Sequence, residues 1–257
     1  VFVRNESYHT TTTYGGGAIW AASGTTTNII DSMFAENSAE TSFTYSARHG
    51  GVIRAEGTVN ITGSLFAENS ADGYGGVFHV LDTADVSVDN TVFANNVSSA
   101  IFPYDDLVNV AYLEPDGSTY GTLEFTNSSF ADDGTQASAV TNSAFSGGFE
   151  AVTSPATYTY TMAAGLDSGT GNIDADASFV DLPDAGTDGT WGTEDDDWGD
   201  MRLVAGSSGI GAGNNSDVVK DALDADGDTI TLTEDAPDYA DGARIQGGTV
   251  DMGAVEQ

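Results

Sequence analysis

Three stretches of this chain say nearly the same thing: "GGAIWAASGTTTNIIDSMFAENSAE" from Gly16, "GGVIRAEGTVNITGSLFAENSADG" from Gly50 and "GGVFHVLDTADVSVDNTVFANNVSSA" from Gly75. Each opens on two glycines and closes on Phe-x-x-Asn. Phe34, Phe66 and Phe93 are followed three residues later by Asn37, Asn69 and Asn96; Phe2 with Asn5 matches, and Phe130 with Asp133 nearly does. Successive phenylalanines lie 32, 32, 27 and 37 residues apart. Self-similarity at such a period is the signature of a stacked repeat.

Upstream of each phenylalanine the agreement continues. Thr27 and Ile29, Val59 and Ile61, Val86 and Val88, Leu123 and Phe125 stand seven and five residues before it. Apolar residues two apart among Val, Ile and Thr read as strands with one face buried. Three before the phenylalanine come the turn formers Asp31, Gly63, Asn90 and Asn127. The Gly-Gly segments supply a further strand per repeat, with Ile19 and Ala21, Ile53 and Ala55, Phe78 and Val80 inward and Trp20, Arg54 and His79 outward. The expected fold is all-β, a right-handed parallel β-helix (solenoid) with a loop-rich acidic C-terminal end. Its coils would rest on one another at about 4.8 Å. Residues 1–135 hold the repeat coils, starting mid-coil, and 136–257 the continuing helix and a C-terminal capping segment. Phe fills the bore, Asn bonds the coils above and below, and the glycines turn or pack tightly at a corner. "SAVTNSAF" (Ser138–Phe145) repeats the pattern out of register.

"GGAI" at Gly16–Ile19 and "FAEN" at Phe34–Asn37 resemble the repeats of polymorphic outer membrane proteins, secreted surface β-helices whose repeats are associated with adhesion. "YTYTMAAGLDSGTGNIDADASFVD" (Tyr158–Asp181), "MRLVAGSSGIGAGNN" (Met201–Asn215) and "DGARIQGGTVDMGAVE" (Asp241–Glu256) resemble, in that order, the closing segment of choice-of-anchor Q extracellular proteins. Here Ala177 and Gly209 stand where that group has prolines, Gly211 where it has aspartate and Val255 where it has tyrosine. The resemblance implies secretion and surface attachment, and no particular chemistry.

Forty acidic side chains face six basic ones, a formal charge of −34. Such a balance suits a salty or divalent-rich medium and argues against nucleic acid or anionic lipid as partner, since both need Lys and Arg. There is no cysteine, hence no disulfide framework and no thiolate metal site. No apolar run reaches the ~18 residues that span a bilayer.

The pointed acidic stretch is "DLPDAGTDGTWGTEDDDWGD", Asp181–Asp200. Asp184, Asp188, Asp195 and Asp197 have the spacing of an oxygen-rich calcium loop, although Gly186 occupies a usual ligand position. Asp224, Asp226 and Asp228 in "DALDADGDT" form a second such run. Structural Ca²⁺ is the expected cofactor of both, and solvated acidic loops are the plainer alternative. Trp20, Arg54 and His79, one above another, form the candidate ligand-binding column: an aromatic platform beside two donors, suited to a glycan. Asp105–Asp106 is the obvious carboxylate pair for glycoside cleavage, but neighbours on a strand point apart. The Gly-His-Gly and Arg-Ile-Lys elements of pectin hydrolases are absent, and no catalytic residue is assigned.

These features predict a secreted, non-catalytic cell-surface protein, an adhesin or a stalk or filament component; a polysaccharide-binding or polysaccharide-cleaving β-helix is the alternative. Because Phe2 and Asn5 read as the close of a coil, either further coils of the same chain precede it or another copy docks head to tail.

Overall fold

Alternating Val, Ile, Thr and Phe favour extended backbone, and the short gaps between them hold residues that tolerate a sharp corner. The computed structural model describes residues 1–8, 16–40, 49–73, 75–98, 110–113, 121–131, 157–163, 169–175, 177–189, 193–197, 199–218, 245, 247–253 and 255. Among these the chain is all-β, with no α-helix and one 3₁₀ turn at Asn215–Asp217.

Four parallel sheets run through the repeats. The first joins Ile19–Ala21, Ile53–Ala55, Phe78–Val80 and Ala111–Leu113. The second joins Thr26–Ile30, Thr58–Thr62, Asp85–Asp89, Thr122–Thr126 and Thr157–Thr159. The third begins with Phe2–Val3, Met33–Ala35, Leu65–Ala67, Val92–Ala94 and Ser129–Ala131, then adds Met162–Ala163 and Ile173–Asp174. Glu6–Tyr8, Ser38–Glu40, Ser70–Ala71 and Val97–Ser98 make the fourth. Like pairs with like: Phe2 with Phe34, Phe34 with Phe66, Phe66 with Phe93, Phe93 with Phe130. Parallel strands stacked repeat on repeat are compatible with a parallel β-helix.

The phenylalanines form a column inside. Ring centroids of Phe2, Phe34, Phe66 and Phe93 follow at 4.7, 4.8 and 5.2 Å, with planes within 9° of parallel. Phe78 and Phe125 pack tilted or edge-on against the column and each other. Phe34, Phe66, Phe78, Phe93 and Phe125 are fully buried.

The asparagines form a second column. Asn69 Oδ1 accepts the backbone N–H and the Nδ2 of Asn37, both at 2.9 Å; Asn69 Nδ2 donates to Asn96 Oδ1 and to the Phe34 carbonyl, both at 2.9 Å. Asn5 repeats the arrangement on Asn37 at 2.8 Å. Each interior amide is thereby satisfied toward both neighbours, as burial demands. A third column follows at the residue two before each phenylalanine. The Ser32 N–H donates to Ser64 Oγ, Ser64 N–H to Thr91 Oγ1 and Thr91 N–H to Ser128 Oγ.

The paired glycines do two different things. Gly50 has φ of 71°, which disfavours a side chain. Gly51 is fixed by space: a Cβ there would lie 2.1 Å from the Gly76 carbonyl oxygen and 2.2 Å from that of Ser70. Corners without glycine also occur, at Glu36 and Glu68 with φ of 48° and 54°. Such backbone costs roughly 1 kcal/mol or more per residue, and the asparagine one residue further on is where the ladder offsets it.

The third sheet is covered on both sides. Phenylalanine points into the bore, while Met33, Ala35, Leu65, Ala67 and Val92 on its other face are buried with Met201 and Val255, and Phe179, Leu182 and Ala185 pack against them. Phe179–Asp181 and Asp200–Leu203 form an antiparallel pair in this cover. Hydrogen bonds pin it: Ser129 Oγ to the Met252 carbonyl at 2.7 Å, Gly253 N–H to the Asn127 carbonyl at 2.7 Å and Asn214 N–H to Asn127 Oδ1 at 2.8 Å. The described residues of the C-terminal segment thus lie along the flank of the third sheet across several repeats. Apolar flank residues on the strands of Val3, Met33, Leu65 and Val92, and the hydroxyl of Ser129 beyond them, are the reason.

Two pairs of substitutions separate these contributions. Gly51→Ala forces backbone apart and should cost about 3 kcal/mol in urea unfolding, against about 1 kcal/mol for Gly24→Ala, where a Cβ meets nothing within 4 Å. Asn69→Ala strands buried donors and acceptors on both neighbours and should cost about 3 kcal/mol, whereas Asn60→Ala on the exposed face should stay within about 0.5 kcal/mol.

Candidate functional site

Trp20, Arg54 and His79 are the middle residues of three-residue strands, so their side chains leave the face opposite Ile19, Ile53 and Phe78. The register stacks them as the sequence predicts, Trp20 on Arg54 and Arg54 on His79, and adds Tyr112 as a fourth position. They do not share one open surface. Trp20 is 61% exposed and His79 only 1%.

Local packing explains the difference. Gly50 lies so close to the His79 backbone that a Cβ would come 2.7 Å from its nitrogen. His49, immediately before that corner, sets its ring 5.0 Å from His79 at 68° and is itself buried. Arg54 is turned along its own strand end onto Glu56, with Nε and Nη2 at 2.9 and 2.8 Å from Oε1. The expected three-residue platform is therefore corrected to an exposed indole beside a half-buried, carboxylate-held guanidinium, with two histidines packed behind. The spacing gave the column; it carried no sign that His49 would close over its third member.

The acidic loop uses its carboxylates on its own amides. Asp184 and Asp197 form an antiparallel bridge, N to O at 2.8 and 2.9 Å. Asp184 Oδ1 accepts the Gly186 N–H at 2.6 Å, and Asp197 Oδ1 the Gly199 N–H at 2.9 Å. Asp195 Oδ2 accepts from the Thr187 N–H, the Thr187 hydroxyl and the Asp188 N–H at 2.8, 2.7 and 3.3 Å; Oδ1 accepts from the Thr193 hydroxyl at 2.7 Å. Gly186 is where a side-chain ligand was wanting, and a Cβ there would meet the Asp195 carbonyl oxygen at 2.3 Å.

The loop thus brings Asp184, Asp195 and Asp197 together, with the Asp188 backbone, around amides and hydroxyls. Among the described residues no group of three or more histidines or acidic side chains is placed to hold a metal ion. The second acidic run, Asp224, Asp226 and Asp228, lies outside the described residues, as do Asp105–Asp106 and Ser138–Phe145.

No family model matches the chain, and neither do the curated proteins or the solved structures compared with it.

Hydrogen bonds from Thr193 and then Thr187 hold the Asp195 carboxyl at about 2, below its ordinary 3.8. A depressed carboxyl contributes order above its ordinary value and loses it as pH falls through the folded one. The Thr187 and Asp188 amides should therefore exchange faster, after correction for intrinsic rates, as pH drops from about 4 to about 2. In Asp195→Asn the same amides should already be fast at neutral pH.

Proposed function

We propose that the chain is a right-handed parallel β-helix that works outside the cell as a non-catalytic surface element, an adhesin or the stalk or filament component of one. Right-handed winding follows from the twist that governs parallel crossovers. The observation that carries the reading is the run of saturated side-chain columns. Phe2, Phe34, Phe66 and Phe93 stack on one another, and Asn5, Asn37 and Asn69 each bond the asparagine of the next repeat, which makes a stiff support. The resemblance to secreted, surface-attached repeat proteins points the same way, and an acidic surface suits a salty extracellular medium. Binding to a partner surface, or a head-to-tail contact with further coils, is the form of activity such a support offers.

A second reading is favoured by Trp20. An exposed indole beside a guanidinium suits a sugar ring, which stacks on the aromatic face and donates hydroxyls to the carboxylate of Glu56. The same flank would then bind, or as a lyase or glycosidase cleave, a polysaccharide.

Immobilised glycans and host-cell surfaces, probed with the intact protein, test both. Retention that falls about tenfold or more in Trp20→Ala, with unchanged melting, is expected if this flank is the adhesive face. Depolymerisation of any glycan, abolished by Arg54→Ala, would overturn the non-catalytic reading.

A further inference from the structure

Arg54 pairs in register with Trp20 on one side and His79 on the other, and its charge is already met. Nε and Nη2 both reach Oε1 of Glu56, at 2.9 and 2.8 Å. The arginine side chain is 12% exposed and that of Glu56 21%. Oε2 of Glu56 has no hydrogen-bond partner among the described residues. A second carboxylate belongs to the next repeat. The Leu81 N–H donates to the Ala55 carbonyl at 3.0 Å and the Thr83 hydroxyl to that of Glu56 at 3.2 Å, which sets the turn carrying Asp82 beside Glu56. One repeat the other way, the Trp20 indole stands exposed.

A sugar ring packs its C–H face on an indole, and its hydroxyls both donate and accept. Hydroxyls can meet this flank as it stands, since Glu56 Oε2 accepts one without disturbing Arg54. An ionised sugar carboxylate, as in a uronic acid, only accepts and calls for a cation. To pair with Arg54 it must displace Glu56 or lie against it, and like charges set side by side at an interface repel the wrong partner. The whole chain adds to that exclusion, with forty acidic side chains against six basic ones.

We infer that this flank selects uncharged polysaccharide, a polymer of neutral hexoses, and that Glu56 sets the selection by holding Arg54 from acidic groups while offering Oε2 to a hydroxyl. The inference rests on the sugar-binding reading of the Trp20 flank and narrows its ligand from any glycan to one chemical class.

The probes are neutral glucose, galactose and mannose oligomers and the uronic acid oligomers made by oxidising C6 of the same chains. They are titrated onto the intact protein at one ionic strength. The parent should bind a neutral oligomer, and bind its oxidised counterpart at least about tenfold more weakly. Glu56→Gln removes one of forty acidic side chains, so the overall repulsion stays, and the new amide oxygen can still accept from Arg54. This variant should fold as the parent does and close the gap to within about threefold by gaining affinity for the oxidised oligomer. Equal affinities in the parent would overturn the selection and leave sugar binding standing. A gap that Glu56→Gln leaves unchanged would overturn the role of Glu56. No binding of any oligomer, or binding that Trp20→Ala leaves untouched, would remove the sugar-binding reading of the flank and this inference with it. Should Glu56→Gln fail to fold, Glu56→Ala is read by the same gap.

Discussion

Four successive repeats are held together by a ladder of asparagine side chains, in which Asn37 and Asn69 are hydrogen-bonded in both directions. Asn37, Asn69 and Asn96 close the same corner in successive repeats, and each Nδ2 reaches the phenylalanine carbonyl of the preceding repeat. A slip of one residue would leave buried amides facing apolar neighbours and would turn each phenylalanine out of the bore. Register is therefore fixed by polar complementarity as well as by hydrophobic burial. That fixity allows the loops between corners to vary in length, so spacings of 27, 32 and 37 residues share one stack.

What the sequence disclosed follows from which features are local. The phenylalanine and asparagine columns, the inward pairs such as Val59 and Ile61, and the double role of Gly50 and Gly51 depend on one repeat facing its copy. The flank cover was encoded but passed over. "MFA", "LFA" and "VFA" lack the polar–apolar alternation of the strands just before them, and a strand apolar on both sides is one with something on both sides. The Ser32, Ser64, Thr91 and Ser128 column was equally visible at a constant position. The packing of His49 over His79 was not, since nothing in either repeat marks a contact between a corner and the following repeat's strand.

At Asp184–Asp197 the aspartates are spaced as in an ion-binding loop, and the glycines and threonines among them bring donors that the carboxylates accept. The corner at Asn90 is the inverse case, with a buried amide oxygen that meets no donor among the described residues.

The flank cover changes how such a stack comes apart. Repeats that touch only their neighbours unfold piecemeal, and their stabilities add along the row. Here Val255 and Met201 bury surface belonging to the repeats of Met33, Leu65 and Val92, while Met252 and Gly253 bind the repeat of Asn127. A late stretch of chain thus clasps several earlier ones, and its docking surface exists only once those repeats are assembled. Folding should end with that docking, and afterwards the spanned repeats should melt as one cooperative block, much as a spine binds separate pages into a book.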